Sequence, residues 1–208
     1  MTAATTNSPR TQAERSAATK RQLIDAAISC LIENGYAQTT MVEVCSRAGL
    51  TRGALHHHFA NQSALLIAVI EKLYEAIGRP SSERSGAEPG DSLEGLIREG
   101  WSRVSRPEFK AIIEIWLAAR NNAELGKELH PAIAKLSLLF SSEENPYLAR
   151  VIGGNPENAS LYRVAFEATI GLALGRATSP NNVPVAHEDD VIESLAALAR
   201  AASSRTPD

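Results

Sequence analysis

Apolar residues recur with helical period along most of the chain. Between Thr19 and Asn34, Leu23, Ala27 and Leu31 repeat every fourth residue beside Ile24, Ile28 and Ile32, which predicts an amphipathic helix with a wide buried stripe. Gly35 follows as a C-terminal cap. Met41, Val44, Cys45 and Ala48 then fall at i, i+3, i+4 and i+7. Thr40 and Glu43 in front of them have the form of a capping box, and Gly49 ends the segment. Thr51 is a good N-cap for a short third helix, Arg52 to Phe59, whose Leu55 and Phe59 lie one turn apart on one face. Asn61 opens a fourth, running to about Ile77 with Leu65, Leu66, Val69, Leu73 and Ile77 inward.

Residues 78–90 mix Gly and Pro with polar side chains and cannot sustain a helix, so they read as a connection. Beyond it, Asp91 is a predicted N-cap, with helices expected over 92–105, 107–121 and 123–141. Pro107 suits a first turn, whereas Pro131 is expected to kink its helix. An irregular stretch with Pro146, Gly153 and Gly154 leads to Asn155-Pro156, a strong start for a helix over 157–177, and a last helix spans 188–203. No alternating run suggests strands, so the fold expected is all-α. The predicted parts are a flexible extension (1–16), a three-helix domain with its connecting helix (17–77), the connection (78–90) and a larger helical domain (91–208).

Composition supports a buried core, with 44% hydrophobic residues in 208. A net charge of −3 argues against a protein that coats nucleic acid indiscriminately. Charge is unevenly spread, however. Arg15, Lys20, Arg21, Arg47 and Arg52 outnumber Asp25, Glu33 and Glu43 over residues 15–62, and the rest is net acidic, the asymmetry expected if the N-terminal part meets phosphate. Cys30 and Cys45 both lie within helical patterns, which points to free thiols in a reducing cytoplasm. No stretch has the look of a signal peptide or a bilayer span, so no membrane association is expected.

Two short helices joined by a tight Gly-containing turn over residues 40–59 match a helix-turn-helix, whose second helix enters the major groove. With Leu55 and Phe59 directed inward, Arg52, Gly53, Ala54, His56 and His57 form the candidate reading head. Arg52 suits a bidentate contact to guanine O6 and N7, and Ala54 suits a thymine methyl. Gly53 allows close backbone approach. His56 and His57 can hydrogen-bond phosphate or base edges while neutral. Thr40 and Thr51 stand at helix N-termini, where hydroxyl, N–H groups and dipole favour phosphate, and Val42 joins them as a candidate DNA contact.

Leu23–Ile28, Asn34–Tyr36, Thr39–Thr40, the run Ala48 to Phe59 (AGLTRGALHHHF) and Ser63–Leu66 together resemble the N-terminal domain of the TetR family of bacterial repressors. The match covers about residues 18–77. The resemblance implies three DNA-binding helices, a fourth that joins them to a larger all-helical domain, a homodimer on a palindromic operator, and a small ligand in the second domain that releases DNA. The chain departs from the family at His56, where Tyr is usual, and at Gln62, where Lys is frequent. Both positions commonly touch phosphate, so the footprint is less basic than the family's.

In the second domain Trp101, Phe109, Trp116, Phe140, Tyr162 and Phe166 are candidates to line a ligand cavity. The small residues of the last two long helices suit a four-helix dimer interface. Consecutive His56, His57 and His58 point about 100° apart on a helix and do not converge on a metal, and His58 is expected to turn back toward the first helix. No nucleophile, base and orienting group stand out together, so no enzyme and no cofactor are predicted. The competing readings are a small helical enzyme and a DNA-binding or adaptor protein without operator specificity.

Overall fold

The computed structural model describes residues 11–78, 92–139, 146–179 and 182–204. Ten α-helices lie among them, with no strand. The first, α1, spans Gln12–Asn34 and starts well before the expected Thr19. Residues 12–16 are therefore helical, where a flexible extension was expected. The cause is a complete capping box: the Thr11 hydroxyl accepts from Glu14 N (3.2 Å) while the Glu14 carboxylate accepts from Thr11 N (2.7 Å). Gly35 ends α1 at φ 73°, and a 3-10 turn, Tyr36–Gln38, leads into α2, Met41–Ala48.

At the start of α2 the Thr40 hydroxyl accepts from Glu43 N (3.2 Å). The predicted box is only half made, because Thr40 N donates to Gln38 O (2.9 Å) and so leaves Glu43 nothing to satisfy. Gly49 adopts the left-handed conformation (φ 63°, ψ 30°), and the chain turns into α3, Arg52–His58. Phe59 is already extended and caps α3 instead of belonging to it. Asn61 caps α4, Gln62–Gly78, by accepting from Ala64 N (2.8 Å).

The connection and Asp91 fall outside the described residues. The cap of α5, Leu93–Val104, is Ser92, which accepts from Gly95 N (3.0 Å), in place of Asp91. Next come α6, Pro107–Asn121, and α7, Ala123–Leu139, which continues through Pro131. Pro146–Ile152 form a short helix α8, where an irregular stretch was expected. α9 spans Pro156–Thr178 from an Asn155 cap, and α10 spans Glu188–Ser203.

Burial divides these helices differently from the polar connection. One core joins α1–α4 to α6 and α7, uniting Leu23, Leu31, Leu55 and Leu66 with Phe109, Ile112, Ile115 and Leu129. A second core gathers Leu93, Leu96 and Ile97 of α5, Leu148 and Ile152 of α8, Ala165 of α9, and Leu195 and Ala199 of α10. Helices α2 and α3 thus share their apolar interior with part of the larger domain.

Candidate nucleic-acid interface

The placement of α3 follows from its two apolar residues. Leu55 and Phe59 are buried against α1 and α2, so 100° per residue leaves Arg52, Gly53, His56 and His57 exposed and Ala54 half-buried. The Thr51 hydroxyl accepts from Ala54 N (3.1 Å) and fixes the helix start. Thr40 and Thr51 are both exposed, as is Val42, at 53% of its full surface. Such exposure of an apolar side chain beside two helix N-termini suits a contact with sugar or a thymine methyl.

The basic residues divide into engaged and unengaged groups. Arg47 is held by Glu33 (2.7 Å) and lies 3.9 Å from Glu43, and Lys72 pairs with Asp25. Arg52 is exposed and has no ion-pair partner among the described residues. The ammonium of Lys20 on α1 lies 5.9 Å above the centroid of the Phe59 ring, and the residue is exposed. His58 is half-buried, and its imidazole is pushed below the usual range by burial first and then by the fields of His57 and Lys20. It is therefore a neutral packing residue facing α1, apart from the exposed pair His56 and His57.

Gly53 has no structural reason to lack a side chain. Its φ lies outside the left-handed region, and a Cβ would meet only Thr51 Oγ1 at 3.8 Å. Alanine there would also favour the helix by about 1 kcal/mol. The fold tolerates a methyl group on this outer face of α3.

Gln62 differs from the other candidates. Its carboxamide donates inward to Thr39 O (2.8 Å), bracing the start of α4 against the residue before the α2 cap. Thr39 is itself buried and donates to Gly35 O (2.8 Å). Two further braces escaped the sequence reading. Gln22 of α1 donates to Ala48 O (2.7 Å) at the end of α2. Glu114 of α6 accepts from Tyr36 N (2.9 Å), tying the larger domain to the turn before α2. A Cβ on Gly35 would sit 3.0 Å from Glu114 Oε2, so the glycine serves both the positive φ and this close approach.

Of the described aromatic residues proposed for a ligand cavity, Trp101, Phe109 and Trp116 pack on the first core and Tyr162 on the second. Phe109 is buried edge-on against Trp116 with centroids 6.2 Å apart. Trp101 lies under the Arg176 guanidinium at 5.3 Å. Tyr162 and Phe166 stack at 6.4 Å, with Tyr162 packed on the second core, and Phe140 lies outside the described residues. Among the described residues no group of three or more His, Cys, Asp or Glu is arranged to hold a metal, and no helix is long and apolar enough to cross a membrane.

Residues 23–69 match the family described as bacterial regulatory proteins, tetR family. The chain is 47% identical over 128 residues to the HTH-type transcriptional regulator CymR of Pseudomonas putida, covering 61% of this chain and 63% of that one. Similarity to the HTH-type transcriptional regulator TtgR, also of Pseudomonas putida, is 32% over 94 residues, or 44% and 45% of the two chains. The chain thus matches under two thirds of the length of these curated relatives. Similar solved structures include a transcriptional regulator from Rhodococcus sp. Rha1 (TM-score 0.64, 20% identity, 90% of this chain and 99% of that one). Another is FadR from Bacillus subtilis in complex with stearoyl-CoA (TM-score 0.56, 21% identity, 85% and 97%). These likenesses extend the shared fold over both cores. The family match thus lies on the helix-turn-helix and its supporting helices, and this N-terminal part of the chain is similar to the tetR family of bacterial regulatory proteins.

Proposed function

We propose that the chain is a sequence-specific DNA-binding transcriptional regulator, a repressor that leaves a palindromic operator when a small molecule binds its larger domain. The observation that carries this reading is the exposed face of α3. Arg52 is without an ion-pair partner among the described residues, Gly53 has no structural need to be glycine, and His56 and His57 project beside them. Arg52 reads a guanine, while Thr40, Val42, Thr51, Ala54 and His57 meet backbone or methyl groups around it. Gln62 contributes by holding Thr39 and hence the α2 cap.

The homodimer forms through α9 and α10. Val164 (60% exposed) and Leu174 on α9 and Leu198 (55%) on α10 support this, since large apolar side chains are otherwise costly to leave in water. Two copies paired there present their α3 helices to half-sites ~34–36 Å apart. The buried free thiols of Cys30 and Cys45, both pushed above the usual range chiefly by burial, suit a reducing cytoplasm.

Footprinting on DNA flanking the chain's own gene tests the proposal. A protected inverted repeat that survives competitor DNA is expected. Weak, salt-sensitive binding to every fragment alike would replace operator recognition with the non-specific reading.

A further inference from the structure

Two buried polar groups in the first core have no hydrogen-bond partner: Tyr74 Oη on α4 and Trp116 Nε1 on α6. Tyr74 is only 5% exposed, whereas the Trp116 ring is half-buried with its nitrogen sealed. The two lie close enough for the indole N–H to favour the phenolate slightly, but short of a hydrogen bond of normal geometry. Buried donors and acceptors of this kind are ordinarily hydrogen-bonded, so the pair is suited to receive a polar atom.

The chemistry of that partner follows from counting. Indole offers one donor and no acceptor, and phenol offers one donor and one acceptor oxygen. Even if the indole N–H turned fully onto the phenol oxygen, the phenol O–H would still need an acceptor. Burial pushes the Tyr74 phenol up to about 12, so it remains a neutral donor, and no charged side chain contributes to that shift. A buried anion with no cation near it is disfavoured. A water molecule would bring two donors of its own and ordinarily makes about three hydrogen bonds. An oxygen that only accepts completes the set without adding a new unpaired group.

We propose that Tyr74 Oη and Trp116 Nε1 anchor the effector, a compact and largely apolar neutral molecule whose carbonyl-type oxygen takes both hydrogen bonds. The inference rests on the ligand-responsive reading above and names the chemistry of its ligand. Phe109, edge-on to Trp116, supplies an apolar wall. The position suits a switch, because Tyr74 lies on the helix that runs directly from the reading head. Trp116 follows Glu114, whose carboxylate holds the turn before α2, by two residues.

The test uses the full chain without DNA, so it can fail independently of operator binding. The chain has two tryptophans, and a Trp101→Phe variant assigns the Trp116 indole resonance in a ¹H–¹⁵N spectrum. Acetophenone, ethylbenzene and benzoate serve as probes. Acetophenone is expected to move the Trp116 indole proton downfield in a saturable way and to bind at least threefold more tightly than either other probe. Tyr74→Phe should weaken acetophenone by about threefold to tenfold, the value of one neutral hydrogen bond, and leave ethylbenzene unchanged. Should that variant fail to fold, Trp116→Phe provides the same comparison by calorimetry. Equal binding of ethylbenzene, tighter binding of benzoate, indifference of acetophenone to Tyr74→Phe, or a Trp116 resonance unmoved by acetophenone would each overturn the assignment.

Discussion

The two cores are trimmed by different kinds of polar contact. Around the first, beside the ion pairs Arg47–Glu33 and Lys72–Asp25, side chains hold backbone atoms: Gln22 on Ala48 O, Gln62 on Thr39 O, and Glu114 on Tyr36 N. Around the second, charged side chains hold one another. Arg98 and Arg200 both bridge Glu94 of α5 and Glu193 of α10, at 2.6 to 3.0 Å. Arg176 of α9 clasps Glu188 of α10, with one bond at 2.7 Å, over the Trp101 ring, which packs on the first core. A hydrogen bond to a backbone atom fixes where a turn lies. An exposed ion pair tolerates drift and weakens with salt. The difference suggests a division of labour, in which α2 and α3 are positioned tightly and the α5, α9 and α10 assembly is held with more freedom to shift.

The largest effect should come from the buried ion pair Arg176–Glu188 between α9 and α10. Glu188 is nearly sealed, and its carboxyl is held below the usual range chiefly by the Arg176 hydrogen bond. Glu188→Ala leaves the guanidinium without its carboxylate. The expected loss is toward the lower end of about 3–5 kcal/mol, because Arg176 keeps the Trp101 ring and a contact to Ser105 O. The sign with pH follows from the depressed carboxyl: its contribution is complete above the ordinary carboxylate pKa of about 4.3 and fades as pH falls through the lower folded value. Denaturant unfolding from pH 7 to 3 should therefore show an acid loss in the native chain that is smaller in Glu188→Ala. Equal acid sensitivity of the two would separate the pair from that loss.

Ile112 and Leu148 compare the cores directly. Both are fully buried, one in each core. Ile112→Ala and Leu148→Ala should each cost about 2–5 kcal/mol. Only Ile112→Ala should speed hydrogen exchange at the α2 and α3 amides well beyond its neighbours, since its core reaches the reading head. Equal acceleration by both would mean that the two cores unfold as one unit.

How much of this was legible in the chain differs by region. The helix-turn-helix was, because Thr40, Gly49 and Thr51 are strong local punctuation and Leu55 and Phe59 fix the face of α3 without distant help. The start of α9 at Asn155-Pro156 was legible for the same reason. The first turns of α1 were not, since Gln12 to Ala18 carry no apolar stripe and only the Thr11–Glu14 box marks them. α8 has seven residues, too few to reveal a 3.6-residue period between Pro146 and Gly153. Glu114 looks like any solvated carboxylate until the fold brings it to Tyr36, 78 residues away. The aromatic residues of the second domain were read as one set, whereas Trp101, Phe109 and Trp116 pack on the first core and Tyr162 on the second.

For the interface itself, Arg52→Ala should remove about 1–3 kcal/mol of discrimination at one base position. Titration against operator variants measures it. A uniform loss over all sequences would reassign Arg52 to phosphate. Glu114→Gln keeps an acceptor for Tyr36 N but removes its charge, so a loss of about 1 kcal/mol is expected. If Glu114 joins the domains as argued, the loss appears in operator affinity as well as in stability. A stability change with unaltered affinity would restrict its role to folding.

The smallest effect gives the sharpest separation between what the fold needs and what DNA needs. Gly53→Ala adds a methyl group that meets nothing closer than Thr51 Oγ1 at 3.8 Å. It replaces the poorest non-proline helix former by the best, so the isolated protein should gain about 1 kcal/mol in denaturant unfolding. If α3 enters the groove through this face as proposed, the same methyl group stands between its backbone and the bases, and operator affinity should fall. A variant that is more stable yet binds DNA less well cannot be explained by loss of structure. Improved or equal operator affinity in Gly53→Ala would mean that α3 meets DNA on another face, with the first core still intact but the assignment of its reading residues wrong.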